Sequence, residues 1–150
     1  MIHEYSRGEF TISTDAARLD LDVIHRFLTT SYWAAGIPPN VVKRSIEHSL
    51  CFGVYHQDRQ VGFARVISDY ATFAYLADVF IIEAYRGQGL ARWLVEVITA
   101  HPDLQGLRRW MLATRDAHAL YEKVGFVGIK APDRWMERHF ADVYSSRKEA

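Results

Sequence analysis

The sequence predicts a mixed α/β domain of the α+β kind, with elements in the order β-α-α-β-β-β-α-β-α-β-β. Three observations lead there. Segments with apolar residues at helical spacing are interleaved with segments that alternate or run continuously apolar. Two of the strand-like runs, in the middle of the chain, flank a short polar turn and read as a hairpin. The chain has 150 residues, 49% hydrophobic and 24% charged, which suits one domain over 1–150 and excludes disorder as its main state.

The elements follow in order. Phe10–Ser13 alternates weakly and reads as a first strand. Asp20 is placed to cap a helix over 21–30, because Val23, Ile24, Phe27 and Leu28 recur at helical spacing. An aromatic loop, 31–37, follows, and Pro38 and Pro39 suit the start of a second helix that runs to about His48. Leu50–His56 is a strand, Gln57-Asp58-Arg59 a turn, and 61–67 the returning strand. Residues 73–82 form a long run rich in β-branched and aromatic residues, a third central strand. Gly87 and Gly89 then punctuate the chain before a helix with apolar Leu90, Leu94, Val97 and Ile98, closed by Pro102. A strand is expected over 110–113, a helix capped by Asp116 over 117–124, and two short strands over 126–129 and 135–139.

Composition narrows the function. Lysine and arginine number 18, as do aspartate and glutamate, so the net charge is zero. That balance argues against nucleic acid or a membrane surface as partner. The single cysteine, Cys51, lies in the apolar run Leu50-Cys51-Phe52 with no basic neighbour in that run, and reads as a buried, inert thiol. The first ten residues carry no apolar signal core and no stretch approaches 18 apolar residues, so a cytoplasmic location is expected. The seven histidines are scattered without zinc-like spacing, and no metal is expected. There is no Gly-x-Ser-x-Gly elbow.

The informative stretch runs from Val79 to Arg92, where an apolar strand ends, a glycine turn follows and a helix begins. Free N–H groups at a helix start bind phosphate, and glycine lets the backbone approach the anion. The Walker A pattern fails, because Gly89-Leu90-Ala91 stands where Gly-Lys-Ser/Thr is needed. The dinucleotide fingerprint fails at Arg92, where Gly or Ala is needed. The pattern that remains is Arg86-x-x-Gly89-x-Ala91, and it resembles the acyl-CoA pyrophosphate loop of the GNAT superfamily of N-acetyltransferases. A second stretch, Ala117-His-Ala-Leu-Tyr-Glu-Lys-Val-Gly-Phe126, is similar to that family's helix ending in Tyr-Glu-Lys-x-Gly-Phe. The element order from about Phe10 to His139 can be threaded on the family's. Two departures stand out: Ala91 replaces the second loop glycine, and Thr114 stands where the family often carries asparagine.

The resemblance implies a central mixed, mostly antiparallel sheet flanked by helices, and transfer of an acetyl group from acetyl-CoA to a primary amine. Two neighbouring strands would splay, and the edge at Val79, Phe80 and Ile81 would pair with the pantetheine arm. The amides of Gly87, Gln88, Gly89, Leu90 and Ala91, with Arg86 and Arg92, would hold the pyrophosphate, and Thr114 is a further cofactor contact. Tyr121 matches the family position for a general acid to the CoA thiolate. The amine attacks directly, so no protein nucleophile is needed. Asp78 is a candidate base or ammonium anchor, because it is a carboxylate inside an apolar run. Strand period puts it on the face of Leu76 and Phe80 unless a bulge intervenes. Asp69 and Glu83 are fallback carboxylates. Tyr32, Trp33 and Tyr75 are candidate walls of an acceptor pocket, since aromatic faces suit a cationic amine. The expected acceptor is a small-molecule amine, amino-acid-like or peptide-borne. The alternatives are a non-catalytic acyl-CoA-binding module and an enzyme using another acyl-CoA, and an exposed strand edge offers a route to a homodimer.

Overall fold

In the computed structural model, which describes residues 1–146, six strands form one sheet whose spatial order follows the chain. They are β1 (Glu4–Arg7), β2 (Phe10–Ser13), β3 (Leu50–His56), β4 (Arg59–Ser68), β5 (Phe73–Ile81) and β6 (Arg109–Met111). Every neighbouring pair is antiparallel except β5 with β6, which is parallel, so the sheet is mixed and mostly antiparallel. β1 escaped the sequence reading because it is an edge strand of sequence Glu-Tyr-Ser-Arg with only Tyr5 half-buried, and it shows no apolar alternation.

Two helical pairs cover the two faces. α1 (Leu21–Leu28) begins where the Asp20 carboxylate accepts from the N–H groups of Asp22 and Val23, at 3.1 and 3.2 Å. It ends two residues short of expectation. The hydroxyls of Thr30 and Ser31 donate back to the carbonyls of Phe27 and Leu28, at 3.1 and 2.7 Å, and turn the chain out of the helix. α2 (Pro39–Glu47) starts on a proline, whose missing N–H has no helix partner to lose. These two pack their buried Ile24, Leu28 and Val42 with Phe63 and Phe80 of the sheet. On the opposite face α3 (Leu90–Thr99) buries Leu90, Trp93, Leu94, Val95, Val97 and Ile98 against Phe52, Val54, Ala64 and Leu76, together with Tyr121 of α4 (His118–Glu122). A last short helix, α5, spans Val143–Ser146.

Three expectations need correction. The two final strands, 126–129 and 135–139, do not form: both segments are without ladder partners, and a 3-10 turn at Pro132–Arg134 separates them. Alternating apolarity names a face but cannot supply a partner strand, and β6 is only three residues long. Asp116 does not cap α4. α4 has no side-chain cap; the Thr114 hydroxyl accepts from the N–H of Ala117, the residue before the helix, at 3.0 Å. Finally, Leu76 and Phe80 do not share a face. Pairing runs from Phe63↔Phe80 to Arg65↔Ala77, so Asp78 and Val79 together oppose Ala64 in a bulge. Leu76 therefore packs under α3, and Phe80 lies toward α1, stacked on Phe27 with ring centroids 4.0 Å apart.

Candidate active site

The site begins where β5 loses a neighbour. β6 pairs with β5 only at Phe73, Ala74 and Tyr75; from Leu76 to Ile81 the strand continues with β4 on one side and, among the described residues, no strand on the other. Ile82 N–H donates to Val61 of β4 at 2.8 Å, so the ladder's alternation turns the N–H and C=O of Ile81 to the open side. The Ile81 carbonyl there accepts from Arg86 Nε at 2.9 Å. Val79, Phe80 and Ile81 thus lie on the open stretch, with the Phe80 and Ile81 side chains buried.

The chain then runs into the glycine turn. Gly87 and Gly89 have φ of 83° and 79°, a left-handed backbone that a Cβ disfavours. A Cβ built on either would meet nothing within 4 Å, so the turn faces open space. Gly89 is the residue before α3 and brings no side-chain cap. Trp93 N–H is bonded to the Gly89 carbonyl at 3.1 Å, which leaves the N–H groups of Leu90, Ala91 and Arg92 without helix acceptors at the positive end of the helix dipole. This donor set fits a pyrophosphate. Of the two expected cations, Arg86 has its Nε committed to the strand end, and Arg92 lies 3.7 Å from Glu96. The Gln88 side chain bonds to the Tyr85 carbonyl.

Thr114 and Tyr121 line a cavity of about 1040 Å³ with Trp110, His118 and Phe126; its walls come from β6, α4 and the segment after α4, with no residue of β5 or of the glycine turn. Tyr121 is 9% exposed, and burial pushes its hydroxyl up to about 12, with the neighbouring Tyr32 adding to the shift. The phenol therefore stays protonated at any ordinary pH.

Asp78 occupies the bulge with φ 58°, and both of its carboxylate oxygens are engaged. Oδ2 accepts from Arg65 Nε at 2.8 Å and Oδ1 from the Trp33 indole N–H at 2.9 Å. The pair is dry, with Asp78 and Arg65 side chains 9% and 16% exposed. Tyr32 and Trp33 lie edge to face and are about half exposed. The Tyr32 hydroxyl accepts from Arg115 N–H at 3.0 Å, under a guanidinium 4.0 Å from its ring. Tyr75 is half-buried at the last β5–β6 pair, the point where the strands part, and has no hydrogen bond or ring contact with Tyr32 or Trp33.

Sequence reasoning missed Arg65, and it took Arg115 only as a cation beside Thr114, not as the partner of Tyr32. Arg65 left a signal, being a cation inside the apolar run 61–67 just as Asp78 is an anion inside the adjoining strand. Of the fallback carboxylates, Asp69 closes its own loop by accepting from Ala71, Thr72 and Phe73, and the Thr72 hydroxyl and these N–H groups hold it well below the usual carboxylate range. Glu83 sits in the exposed turn after β5. Cys51 is buried as expected. Arg65 is its electrostatic neighbour, yet burial outweighs that cation and pushes the thiol up to about 12, with Asp78 adding to the rise. No cluster of metal-ligating residues exists among the described residues.

Comparison with known proteins identifies the family. A model of the acetyltransferase (GNAT) family matches residues 20–126. An acetyltransferase-family protein of Gibberella zeae is 33% identical, with 79% of each chain covered. The crystal structure of a GNAT-family protein of Xanthomonas campestris pv. campestris is 52% identical, with a TM-score of 0.88 over 91% of this chain and 96% of that one. An acetyltransferase of Clostridium acetobutylicum solved with acetyl-CoA has a TM-score of 0.63 at 13% identity, over 93% of this chain and 96% of that one, a likeness of fold. The chain belongs to the GNAT family of acetyltransferases, and it is an acyltransferase.

Proposed function

We propose that the protein transfers the acetyl group of acetyl-CoA to the primary amine of a small molecule, amino-acid-like compound or peptide, within a ternary complex. The observation that carries this reading is the open edge of β5, which runs without a second partner from Leu76 to Ile81 and leads straight into the uncapped start of α3. The pantetheine arm pairs along Val79, Phe80 and Ile81, and the N–H of Ile81 donates to the thioester carbonyl as negative charge gathers on its oxygen. The amides of Gly87 to Ala91 hold the pyrophosphate, with Arg92 beside them, and the Thr114 hydroxyl, which accepts from Ala117 N–H, is a further cofactor contact.

The amine nitrogen forms a bond to the carbonyl carbon, the C–S bond breaks, the sulfur leaves as thiolate, and the nitrogen gives up its proton to water at the open side of the site. Tyr121 is the hydrogen-bond donor to that sulfur. A phenol held near 12 and a thiol with a pKa near 8.5 favour a hydrogen bond to the thiolate over complete transfer. The aromatic rings of Tyr32 and Trp33, with Tyr75 at the parting of the strands, wall the acceptor side.

A panel of small amines and peptides, offered with acetyl-CoA and read by thiol release and product mass, tests the reading. The expected result is one acetyl group on one amine nitrogen. Tight acetyl-CoA binding with no release across the panel would make the protein a silent acyl-CoA-binding module instead, and faster turnover with propionyl- or succinyl-CoA would change the donor.

A further inference from the structure

We propose that Asp78 is a positioning residue which, locked by Arg65, holds Trp33 and fastens the loop 31–37 across the strand opening as the fixed wall of the acceptor site. The sequence alone made Asp78 a candidate base. Its surroundings point elsewhere. A base needs a carboxylate oxygen free to meet the ammonium, but this one has a guanidinium on Oδ2 and an indole N–H on Oδ1. Arg65 is itself steadied by donating from Nη1 to the Ser49 hydroxyl at 3.2 Å. The bulge that turns Asp78 out of strand register is what aims it at Trp33 rather than into the core under α3.

The loop has a second fastening on the far side of the opening. Tyr32, next to Trp33, accepts from the backbone N–H of Arg115, which lies beyond β6 and just before α4. One loop is therefore pinned to β5 through Trp33 and to the α4 entrance through Tyr32, the two elements between which β5 stands open. The root of the loop is fixed as well: Ser31 donates to the Leu28 carbonyl and accepts from Ala34 N–H, and Gly36 N–H donates to the Thr29 carbonyl. A loop held at its root and at two points along it is a rigid wall.

The kinetic arm of the test rests on the acetyl-transfer reading; the spectroscopic arm does not. Trp33→Phe keeps an aromatic ring of smaller size and removes the indole donor, so it is the mild variant, while Asp78→Asn removes the charge. With the amine found by the panel, each variant is expected to raise the amine KM about tenfold, the size of one charge-assisted hydrogen bond. The acetyl-CoA KM should stay within about twofold, the shape of the kcat pH profile should be retained, and the double variant should be no worse than the worse single one. A kcat loss of about a hundredfold or more in Asp78→Asn, with disappearance of the acid limb and a silent Trp33→Phe, would make Asp78 the base and overturn the proposal. Independently of any amine, isotope-labelled tryptophan in the intact protein should show the Trp33 indole N–H protected from exchange, and that protection lost in Asp78→Asn. An indole that exchanges freely in the unaltered protein, or that is unchanged by Asp78→Asn, overturns the clasp even if acetyl transfer stands. A failed panel with a protected indole overturns the reaction and leaves the clasp.

Discussion

Tyr121 shows how burial sets the chemistry of one side chain. Its hydroxyl, pushed up to about 12 by desolvation, is a donor that does not ionise under working conditions. Tyr121→Phe keeps the ring that packs under α3 and deletes only this donor. A hydrogen bond to a developing anion contributes about 1.5–3 kcal/mol, so kcat should fall roughly 10- to 100-fold while the acetyl-CoA dissociation constant, followed by calorimetry, moves less than about twofold. Unchanged turnover would remove Tyr121 from the reaction. At this scale the sequence was readable wherever a residue's role follows from its neighbours in the chain. Tyr121 and the glycines belong to continuous motifs, and Cys51 to an apolar run. Asp78 was noticed as a charge in an apolar strand, but its partners are Arg65, 13 residues away, and Trp33, 45 residues away. No local pattern encodes such pairs. Asp78→Ala would leave Arg65 buried without its anion, and a loss of about 3–5 kcal/mol in urea unfolding is expected.

Among the elements, the turn before α3 is the one whose backbone the ligand would touch. Gly89→Ala places a Cβ on a left-handed residue at φ 79°, at a cost of about 1–2 kcal/mol, although the space around it is open. The variant should therefore fold with slightly reduced stability and bind acetyl-CoA about tenfold more weakly, because relief of the strain rotates the amides that face the phosphates. Affinity equal to that of the unaltered protein would place the pyrophosphate elsewhere. Elements with both a periodic face and a cap were legible to within a residue or two, as α1 with Asp20 and α2 with its prolines show. Failures came where pairing, not patterning, decides. The polar strand β1 forms because β2 offers it a ladder, whereas the apolar segment 126–129 stays unpaired for want of one. The β5 bulge was foreseen only as a possibility, since nothing in Leu-Ala-Asp-Val-Phe marks a left-handed residue without glycine.

For the molecule as a whole, the groups that matter most at high pH are buried: Tyr121 and Cys51 in the two core clusters, and Tyr55 outside both. Tyr55 and Tyr121 are held up to about 12 by burial, as is the Cys51 thiol. An unfolded chain releases these protons near 9 to 10, while the fold keeps them until about 12. Across that window the native state binds more protons than the unfolded one, so stability is unaffected below about pH 9 and falls as the pH rises toward 12. Chemical denaturation at stepped pH should show this decline, and tyrosinate absorbance should show two of the eight tyrosines ionising last. A flat stability profile to pH 12 would contradict the burial of these groups.

The central claim is that the opening between β5 and β6 and the turn before α3 form one acyl-CoA site. Amide hydrogen exchange with and without acetyl-CoA tests it most directly. Protection should appear together at Val79–Ile81 and at residues 87–92, with little change in β1 and β2. Protection that bypasses both segments and falls instead on the outer side of β6 would contradict the account.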